Sequence, residues 1–473
     1  MGDDRKYVKF EGKIVMLGCG SIGQGTLPLL LRHLDIRPEQ IEIVTNDRRG
    51  ADVAAEYGVP FHIAPITPAN YGQALGGRLK AGDVLLNLSV DVSSLALVEM
   101  CQARGISYLD TCIEPWPGGY TDSSKPAAAR TNYALREAAL ALKRKYPGGP
   151  TAVITHGANP GLVSHFIKEA LLNIARDTGH ETPLPATREG WARLMMALGV
   201  KVIHVAERDT QAAHVPKAVG EFVNTWSIDG FVAEGCQPAE LGWGTHELTF
   251  PGDGSRHETG SGAAIFLNRP GAGTKVRTWT PLEGPFHGFL VTHSESISTA
   301  DYYTVRGGDG EVLFRPTAHY AYHPCDDAVL SVHELAGKNW VQQDRQRLLM
   351  DEIVSGTDEL GVLLMGHDRG AYWYGSRLDI AEARRLAPHN NATSLQVTAP
   401  AMAGLIWAIE NPGRGIVEPE ELDHARILDI TRPYLGPVVG VYSGWTPLEG
   451  RSPLFDEAVD RRDPWQFINF RVF

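Results

Sequence analysis

The stretch Ile14-Val15-Met16-Leu17-Gly18-Cys19-Gly20-Ser21-Ile22-Gly23 decides the fold of the first part of the chain. Four apolar residues predict a short buried strand, and the G-x-G-x-x-G that follows opens an apolar helix. In this setting Gly18 allows a tight turn, Gly20 lets the backbone approach a pyrophosphate, and Gly23 lets the helix pack closely on the strand. The free N–H groups at the start of that helix suit phosphate oxygens. The sequence therefore predicts a bound nicotinamide dinucleotide.

A second apolar strand, 41–44, is followed by Asp47. An acidic residue about twenty positions after the glycines suits a ribose hydroxyl, which favours NAD over NADP. Two alternatives stay open at this point. Asp47 can instead cap the next helix, and Arg48 and Arg49 can hold a 2′-phosphate.

Short apolar strands alternate with helical segments over the first 155 residues, at 61–63, 84–88, 108–111 and 152–155 after the first two. This alternation is typical of an α/β fold with a doubly wound parallel sheet, a Rossmann domain. Ligands of such sheets bind beyond the carboxyl ends of the strands. The expected cofactor-binding residues are Gly18, Gly20, Ser21, Ile22, Gly23, Asp47, Asn87, Ser89, Asp110 and Thr111.

The pattern changes after residue 155, where strand-like runs at 202–205, 286–292, 312–314, 361–365 and 371–374 surround a helix at 328–334. This pattern predicts a second, α+β domain with a mixed or antiparallel sheet. An apolar helix over 398–411, stopped by Pro412-Gly413, is expected to return to the first domain. The predicted organisation is a Rossmann domain at 1–155, a substrate and dimerisation domain at 156–395, the returning helix within 396–435, and a C-terminal tail at 436–473.

The overall composition excludes several classes of protein. The 473 residues are 43% hydrophobic and 21% charged, as in ordinary folded proteins of two or three domains. A net charge of -12 without a basic block argues against a nucleic-acid partner. Five cysteines without a C-x-x-C pair, and an N-terminus without a signal-like segment, predict a reduced, cytoplasmic protein. No apolar run is long enough to span a membrane, and no His/Cys cluster has the spacing of a metal site.

Several segments resemble a known family. Asn87-Leu88-Ser89, Tyr108-Leu109-Asp110-Thr111 and the run 157–166 are similar to the saccharopine dehydrogenase-like superfamily. More narrowly, the segment 17–25, Thr225-Trp226-Ser227 and the acidic stretch after it resemble bacterial homospermidine synthases. The resemblance covers essentially the whole chain.

The resemblance implies a reaction, a cofactor and an assembly. Bacterial homospermidine synthases join two putrescine molecules and release ammonia, with NAD as a hydride carrier that ends unchanged. Hydride leaves the carbon beside one amine, the resulting imine exchanges its nitrogen for that of a second diamine, and hydride returns. A homodimer is expected. Whether spermidine replaces one putrescine stays open.

A diamine site needs carboxylates near the ammonium ends, a base for the reacting amine and an aromatic face for the cationic intermediate. By resemblance, Glu207 and Glu234 bind ammonium groups and Trp226 holds the cation over its ring. His293 is the expected base, with Glu295 beside it on one strand face. The residue types alone leave plainer alternatives, since Trp is mostly core, Glu mostly solvated, and a histidine usually structural.

Four further positions complete the expected site. Asn159, in Asn-Pro-Gly, predicts a type II turn and offers an amide to the nicotinamide or the amine. Glu114 follows a strand end of the first sheet, so it is expected at the cofactor crevice. Asp91 and Asp358 are weaker candidates for substrate binding, because an aspartate in a loop often caps a helix.

Two other functions stay open from the sequence. A saccharopine dehydrogenase-like or carboxyspermidine-type amine oxidoreductase needs Arg or Lys for the carboxylates of its substrate. The singled-out segments are instead dominated by Glu, Asp and Trp. A non-catalytic dinucleotide-binding regulator is the third possibility, but it has no need of these side chains.

Overall fold

A computed structural model describes residues 4–180, 183–451 and 455–473. The strands are β1 Val8–Lys9, β2 Ile14–Leu17, β3 Leu34–Asp35, β4 Ile41–Thr45, β5 Phe61–Ile63, β6 Val84–Asn87, β7 Ser107–Asp110, β8 Ala152–Val153, β9 Val202–Asp209, β10 Ala212–Ala213, β11 Glu221–Asn224, β12 Pro238–Gly242, β13 Gly254–Arg256, β14 Ala264–Pro270, β15 Lys275–Thr280, β16 Gly284–Phe289, β17 Val305–Arg306, β18 Val312–Phe314, β19 Thr317–His323, β20 Arg345–Leu348, β21 Ile353–Ser355, β22 Thr357–His367, β23 Gly370–Asp379, β24 Ile416–Val417, β25 Val438–Ser443 and β26 Arg471–Val472. The helices are α1 Ser21–His33, α2 Ala51–Glu56, α3 Tyr71–Gly76, α4 Ser94–Arg104, α5 Asn132–Lys145, α6 Leu162–Asp177, α7 Arg188–Ala197, α8 Ile228–Cys236, α9 Glu295–Tyr302, α10 Asp326–Gly337, α11 Ile380–Leu386, α12 Ala392–Glu410, α13 His424–Thr431 and α14 Phe467–Phe470.

The N-terminal part forms a seven-stranded sheet in the order β24-β8-β7-β6-β2-β4-β5, with all neighbours parallel. Along β2, Ile14 and Met16 pack in the core shared with α12, whereas Val15 and Leu17 pack in the core shared with α4. Helices therefore cover both faces, which is why the strand is continuously apolar. The predicted doubly wound parallel sheet is confirmed.

The second sheet has eleven strands, with the main path β13-β14-β12-β19-β9-β22-β23-β25. Among the described residues of this sheet, only β9 and β19 pair in parallel, so the sheet is mixed, as predicted. The strand predicted at 202–205 continues to Asp209. The strand predicted at 286–292 ends at Phe289, because the chain then turns into α9.

Helix α12 begins at Ala392, six residues before the predicted start. Asn391 caps it, since its side chain accepts a hydrogen bond from the backbone N–H of Ser394. The helix start was missed because its first residues include three polar ones that are nevertheless buried: Thr393, Ser394 and Gln396. The helix packs against α1 and against β7, a strand of the parallel sheet.

The length of α12 corrects one expectation from the sequence. Its 19 residues, with a mean hydropathy of 1.3, are long and apolar enough to cross a membrane. However, 89% of that stretch is buried inside the protein. We therefore interpret α12 as a core helix.

The segments after α12 join both sheets. Strand β24 pairs with β8 at one edge of the parallel sheet, and β25 pairs with β23 at one edge of the mixed sheet. Strand β26 pairs with β15, and the side chains of Phe467 and Phe470 lie in the core of the mixed sheet. Residues 436–473, expected as a tail, thus contribute strands and core side chains where they are described.

Candidate active site

A cavity of about 710 Å³ lies beyond the carboxyl ends of the parallel strands. Its walls come from the loops after β2, β4, β6, β7 and β8, and from β9, β19, α8 and α12. The expected site residues that line it are Gly18, Gly20, Ser21, Ile22, Asp47, Ser89, Asp91, Thr111, Glu114, Asn159, Glu207, Trp226, Glu234 and His293. Candidates for the cofactor and for the substrate thus share one cavity.

The glycine-rich turn forms one end of this cavity. Gly18 has a φ of 91°, and Gly20 precedes α1 without any side chain capping the helix among the described residues. A Cβ on Gly20 would meet nothing within 4 Å, whereas one on Gly23 would lie 2.8 Å from the carbonyl oxygen of Gly18. The N-terminus of α1 is therefore open to a ligand, and Gly23 permits close packing below it. These residues fit a dinucleotide pyrophosphate.

Asp47 and Arg49 pair at the same end. The Oδ1 atom of Asp47 accepts from the backbone N–H of Arg49 at 2.8 Å, and its Oδ2 atom accepts from Nε of Arg49 at 2.7 Å. Asp47 does not cap α2, whose capping position is Gly50. Arg48 lines a separate pocket. The side chains of Asp47 and Arg49 are therefore paired where they line the cavity.

Two expected cofactor contacts, Asn87 and Asp110, lie beneath the wall of the cavity instead of lining it. The Oδ1 atom of Asn87 accepts from the hydroxyl of Ser89 at 2.6 Å. Asp110 accepts from the hydroxyl of Tyr108 at 2.7 Å and from the N–H of Thr155 at 2.6 Å. Burial raises the pKa of Asp110 to about 6 against these hydrogen bonds. Both side chains fix the loops that line the cavity.

His293 is held between two carboxylates. Its Nε2 atom lies 3.0 Å from Oε2 of Glu234, and its Nδ1 atom lies 3.3 Å from Oε1 of Glu295. Burial alone lowers the pKa of His293, but the two carboxylates outweigh burial and raise this pKa well above its usual value. The form with both ring nitrogens protonated is therefore favoured, and the role of His293 as a base stays a prediction.

Two expected substrate contacts, Glu295 and Asp358, are buried and do not line the cavity. Glu295 was expected beside His293 on a strand, but it begins α9. It reaches the ring because the loop after Phe289 turns into that helix. Asp358 lies on β22 and contacts the hydroxyl of Thr393, which does line the cavity.

Glu207 and Glu114 provide carboxyl groups with raised pKa values. Burial raises the pKa of Glu207 to about 8, although a hydrogen bond from the hydroxyl of Tyr320 opposes the shift. Burial, and then the charge of Glu234, raise the pKa of Glu114 well above its usual value. Desolvated carboxyl groups of this kind are typical of functional sites.

The indole of Trp226 is fixed from behind. Its Nε1–H donates to the hydroxyl of Tyr322 at 3.0 Å. The ring of Tyr322 stacks on that of Tyr320, with centroids 5.0 Å apart and planes 11° from parallel. Trp226 also packs on Phe231, so it is partly core and partly cavity wall. Tyr320 and Tyr322 were missed from the sequence, although their i, i+2 spacing on a strand is a usable signal.

Asn159 lies beside His293, with its amide nitrogen 3.4 Å from Nδ1 of the ring. The expected type II turn is wrong. The peptide bond between Asn159 and Pro160 is cis, and Gly161 has a φ of 127° and a ψ of -96°. A type II turn requires a ψ near 0° at that glycine.

The charges lining the cavity are mostly negative. Within the described residues, Arg49 is the only arginine or lysine in its wall, and it belongs to the glycine-rich end. In the same residues, no group of three or more His, Cys, Asp or Glu side chains is arranged to hold a metal ion. The other end is thus suited to a cationic ligand.

Comparisons with known proteins agree with this geometry. The Saccharopine dehydrogenase NADP binding domain matches residues 14–153, and the Saccharopine dehydrogenase C-terminal domain matches residues 157–441. A homospermidine synthase from Blastochloris viridis is 53% identical, with 100% of both chains covered. One from Mesorhizobium japonicum is 51% identical, with 98% of this chain and 97% of the relative covered.

A solved structure of homospermidine synthase from Legionella pneumophila, in complex with NAD, is also similar. It is 53% identical, covers 98% of both chains and superposes with a TM-score of 0.92. The structural similarity includes both sheets, and the sequence identity to these relatives is 51–53% over nearly the full length. The chain therefore belongs to the homospermidine synthase family, within the saccharopine dehydrogenases.

Proposed function

We propose that this protein makes homospermidine from two putrescine molecules, with release of ammonia and with NAD as a recycled hydride carrier. One observation carries the proposal: carboxyl and indole side chains from distant elements line the same cavity as the glycine-rich turn. Full-length relatives named homospermidine synthase support it.

NAD is proposed to occupy the glycine-rich end. The backbone N–H groups of Ser21 and Ile22 would hold the pyrophosphate, and the carboxylate of Asp47 would bind a ribose hydroxyl. When bound, NAD supplies a reversible hydride acceptor. The complex of the Legionella relative with NAD supports this choice over NADP.

The two ends of a diamine are proposed to meet carboxylates on different elements. Glu207 projects from β9, whereas Glu234 projects from α8 and lies near Glu114. An ammonium 4 Å from one carboxylate gains about 4 kcal/mol at an intermediate effective dielectric. Each entering ammonium also favours the ionised form of a carboxyl group that burial keeps neutral.

Proton transfer is divided between two groups in this proposal. Glu207, whose pKa is about 8, is mostly protonated in the empty cavity at neutral pH; it loses this proton to solvent when the diammonium substrate enters, and its carboxylate then accepts the proton of the reacting amine. His293 already holds a proton and is poised to give it to the departing nitrogen, which then leaves as ammonia. Asn159, beside this ring, offers its amide to the nicotinamide or to the reacting amine.

The indole of Trp226 is proposed to stabilise the cationic intermediate that forms when an amine loses hydride. A cation over a tryptophan ring gains about 0.5–2 kcal/mol, with the larger value in a dry site. Because the hydrogen bond to Tyr322 fixes the indole, this face needs no rearrangement during the reaction.

The test is to incubate purified protein with putrescine and NAD. We expect ammonia and a triamine to form in equal amounts, without net accumulation of NADH. Amino acid and keto acid substrates of a saccharopine-type oxidoreductase serve as the control. Steady production of NADH from those substrates, with no triamine from putrescine, would contradict the proposal.

A cytoplasmic homodimer is proposed for the working enzyme. Free thiols at all five cysteines are consistent with a reducing compartment. Analytical ultracentrifugation of the purified protein tests the dimer. Fractionation of the producing cell tests the location.

A further inference from the structure

Three buried carboxyl groups lie at the non-cofactor end of the cavity. Glu207 and Asp209 occupy alternate positions of β9, so they share a face of the mixed sheet. Asp358 lies on β22, directly opposite Asp209 in the register of the two strands. All three side chains are almost completely shielded from solvent. Neither the sequence nor any comparison pointed to Asp209.

Neutral donors hold Asp209. Its Oδ1 atom accepts from the backbone N–H of Gln211 at 2.8 Å and from the side-chain amide of the same residue at 3.1 Å. Its Oδ2 atom accepts from the hydroxyl of Thr225 at 2.7 Å. Burial raises the pKa of Asp209, and these three bonds oppose that shift by stabilising the carboxylate.

Thr393 bridges the two aspartates. Its Oγ1 atom lies 2.6 Å from Oδ2 of Asp358 and 3.3 Å from Oδ2 of Asp209. This oxygen also accepts from the side-chain amide of Gln211 at 2.9 Å, and its hydroxyl has a single hydrogen to donate, so both aspartates can bond to it only when one of them carries a proton. Asp358 is that group. Burial, and then Glu207 and Asp209, raise its pKa well above the usual value, and its Oδ1 atom has no hydrogen-bond partner among the described residues.

Thr393 and Glu207 both line the cavity. We propose that Asp209 is a positioning residue: through Thr393 it shares one proton with Asp358, and with Glu207 it forms the negative end that receives one ammonium of the diamine. This inference rests on the proposed function. Entry of the ammonium breaks the O–H bond of Asp358, and the proton leaves to solvent.

Other titratable and charged groups surround the pair. They are Glu207 and Arg208 on β9, Glu359 on β22, Tyr320 and Tyr322 on β19, Cys325 before α10, and His293 and Glu295 at the start of α9. The guanidinium of Arg208 pairs with Glu283 and Asp326. Because the pKa of Glu207 is about 8, this residue also releases a proton when the ammonium enters. The experiment therefore compares the number of protons released by the wild type and by each variant.

The test counts protons released when putrescine binds to protein loaded with NADH, which cannot accept hydride. Binding enthalpies measured in buffers of different ionisation enthalpy give the count. We expect Asp209→Asn to release about one proton fewer than the wild type, because the like charge that keeps Asp358 protonated is gone. We also expect its Kd for putrescine to rise roughly tenfold.

Thr393→Val tests the bridge without changing a charge, and Thr393→Ser should restore the wild-type count. The matched control is Thr398→Val, since Thr398 is a buried threonine of the same helix that donates to Asn390. Unchanged proton release and unchanged Kd in both Asp209→Asn and Thr393→Val would overturn the inference while leaving the proposed function intact. A wild type that makes no triamine would instead contradict the function itself.

Discussion

The two ends of the cavity are built in different ways. The cofactor end is formed by backbone groups of consecutive residues, Gly18 to Gly23, at one turn between a strand and a helix. The opposite end is formed by side chains from β9, β19, α8, α12 and the loop before α9. A dinucleotide site can thus be encoded locally, whereas a diamine site requires long-range folding to bring its charges together.

Removal of the carboxyl group of Glu207, at the non-cofactor end of the cavity, should have the largest effect. We expect Glu207→Gln to lower kcat by about 10²–10⁴, the usual contribution of a general base, while NAD binding stays unchanged. An assay of triamine formation measures kcat, and calorimetric titration with NAD measures cofactor binding. Equal losses of both would show that the two ends of the cavity are not independent.

The Glu207→Gln variant also tests how Glu207 affects the stability of the fold. Because the pKa of Glu207 is about 8 in the folded state, the native protein holds a proton that the unfolded chain loses above its lower pKa. The contribution of this group to stability therefore falls as the pH rises from about 4.5 to 8. At pH 8, ligand-free Glu207→Gln should be more stable by at least about 1.4 kcal/mol, the value of one pKa unit, in urea unfolding.

Trp226→Ala should have the next largest effect. Loss of the cation–π contact, about 2 kcal/mol in a dry site, should lower kcat about 30-fold. Circular dichroism should show a native fold, and Trp226→Phe should recover part of the rate. An unfolded Trp226→Ala, with a folded and fully active Trp226→Phe, would identify the residue as core only.

A pair of glycine variants tests the local character of the cofactor end. Gly20→Ala places a methyl group in open space, so we expect a stable protein whose Kd for NAD rises about tenfold, because the pyrophosphate is held off the backbone. Gly23→Ala puts a Cβ against the carbonyl of Gly18, so we expect a loss of about 1–3 kcal/mol of stability. Thermal unfolding and NAD titration distinguish the two. The reverse result would contradict the roles given to these glycines.

Tyr322→Phe should have the smallest effect. It removes only the acceptor of the indole hydrogen bond, worth about 1 kcal/mol, so kcat should fall about fivefold with little change in KM. The fluorescence of Trp226, taken as the difference from Trp226→Phe, should shift. An unchanged kcat would mean that packing on Phe231 alone fixes the ring.

The contrast between the two ends also explains what could be predicted from the sequence. The parallel sheet and its turn follow from contiguous apolar runs and glycines. The contact between His293 and Glu295 was expected, but it arises from a helix start instead of strand alternation. Asp209 was missed because the strand at 202–205 was not extended, and Thr393 because polar residues hide the start of α12. Such buried polar contacts have no local pattern.

Strand β24 has a consequence for biosynthesis. Residues 416–417 form this edge strand of the parallel sheet and pair with β8. The ribosome synthesises them more than 260 residues after β8, which ends at Val153. Until then the nascent N-terminal portion also lacks the cover of α12 and leaves apolar side chains of β2 uncovered. A chaperone that binds these exposed apolar side chains during synthesis is therefore expected. A chain truncated before residue 392 should be insoluble.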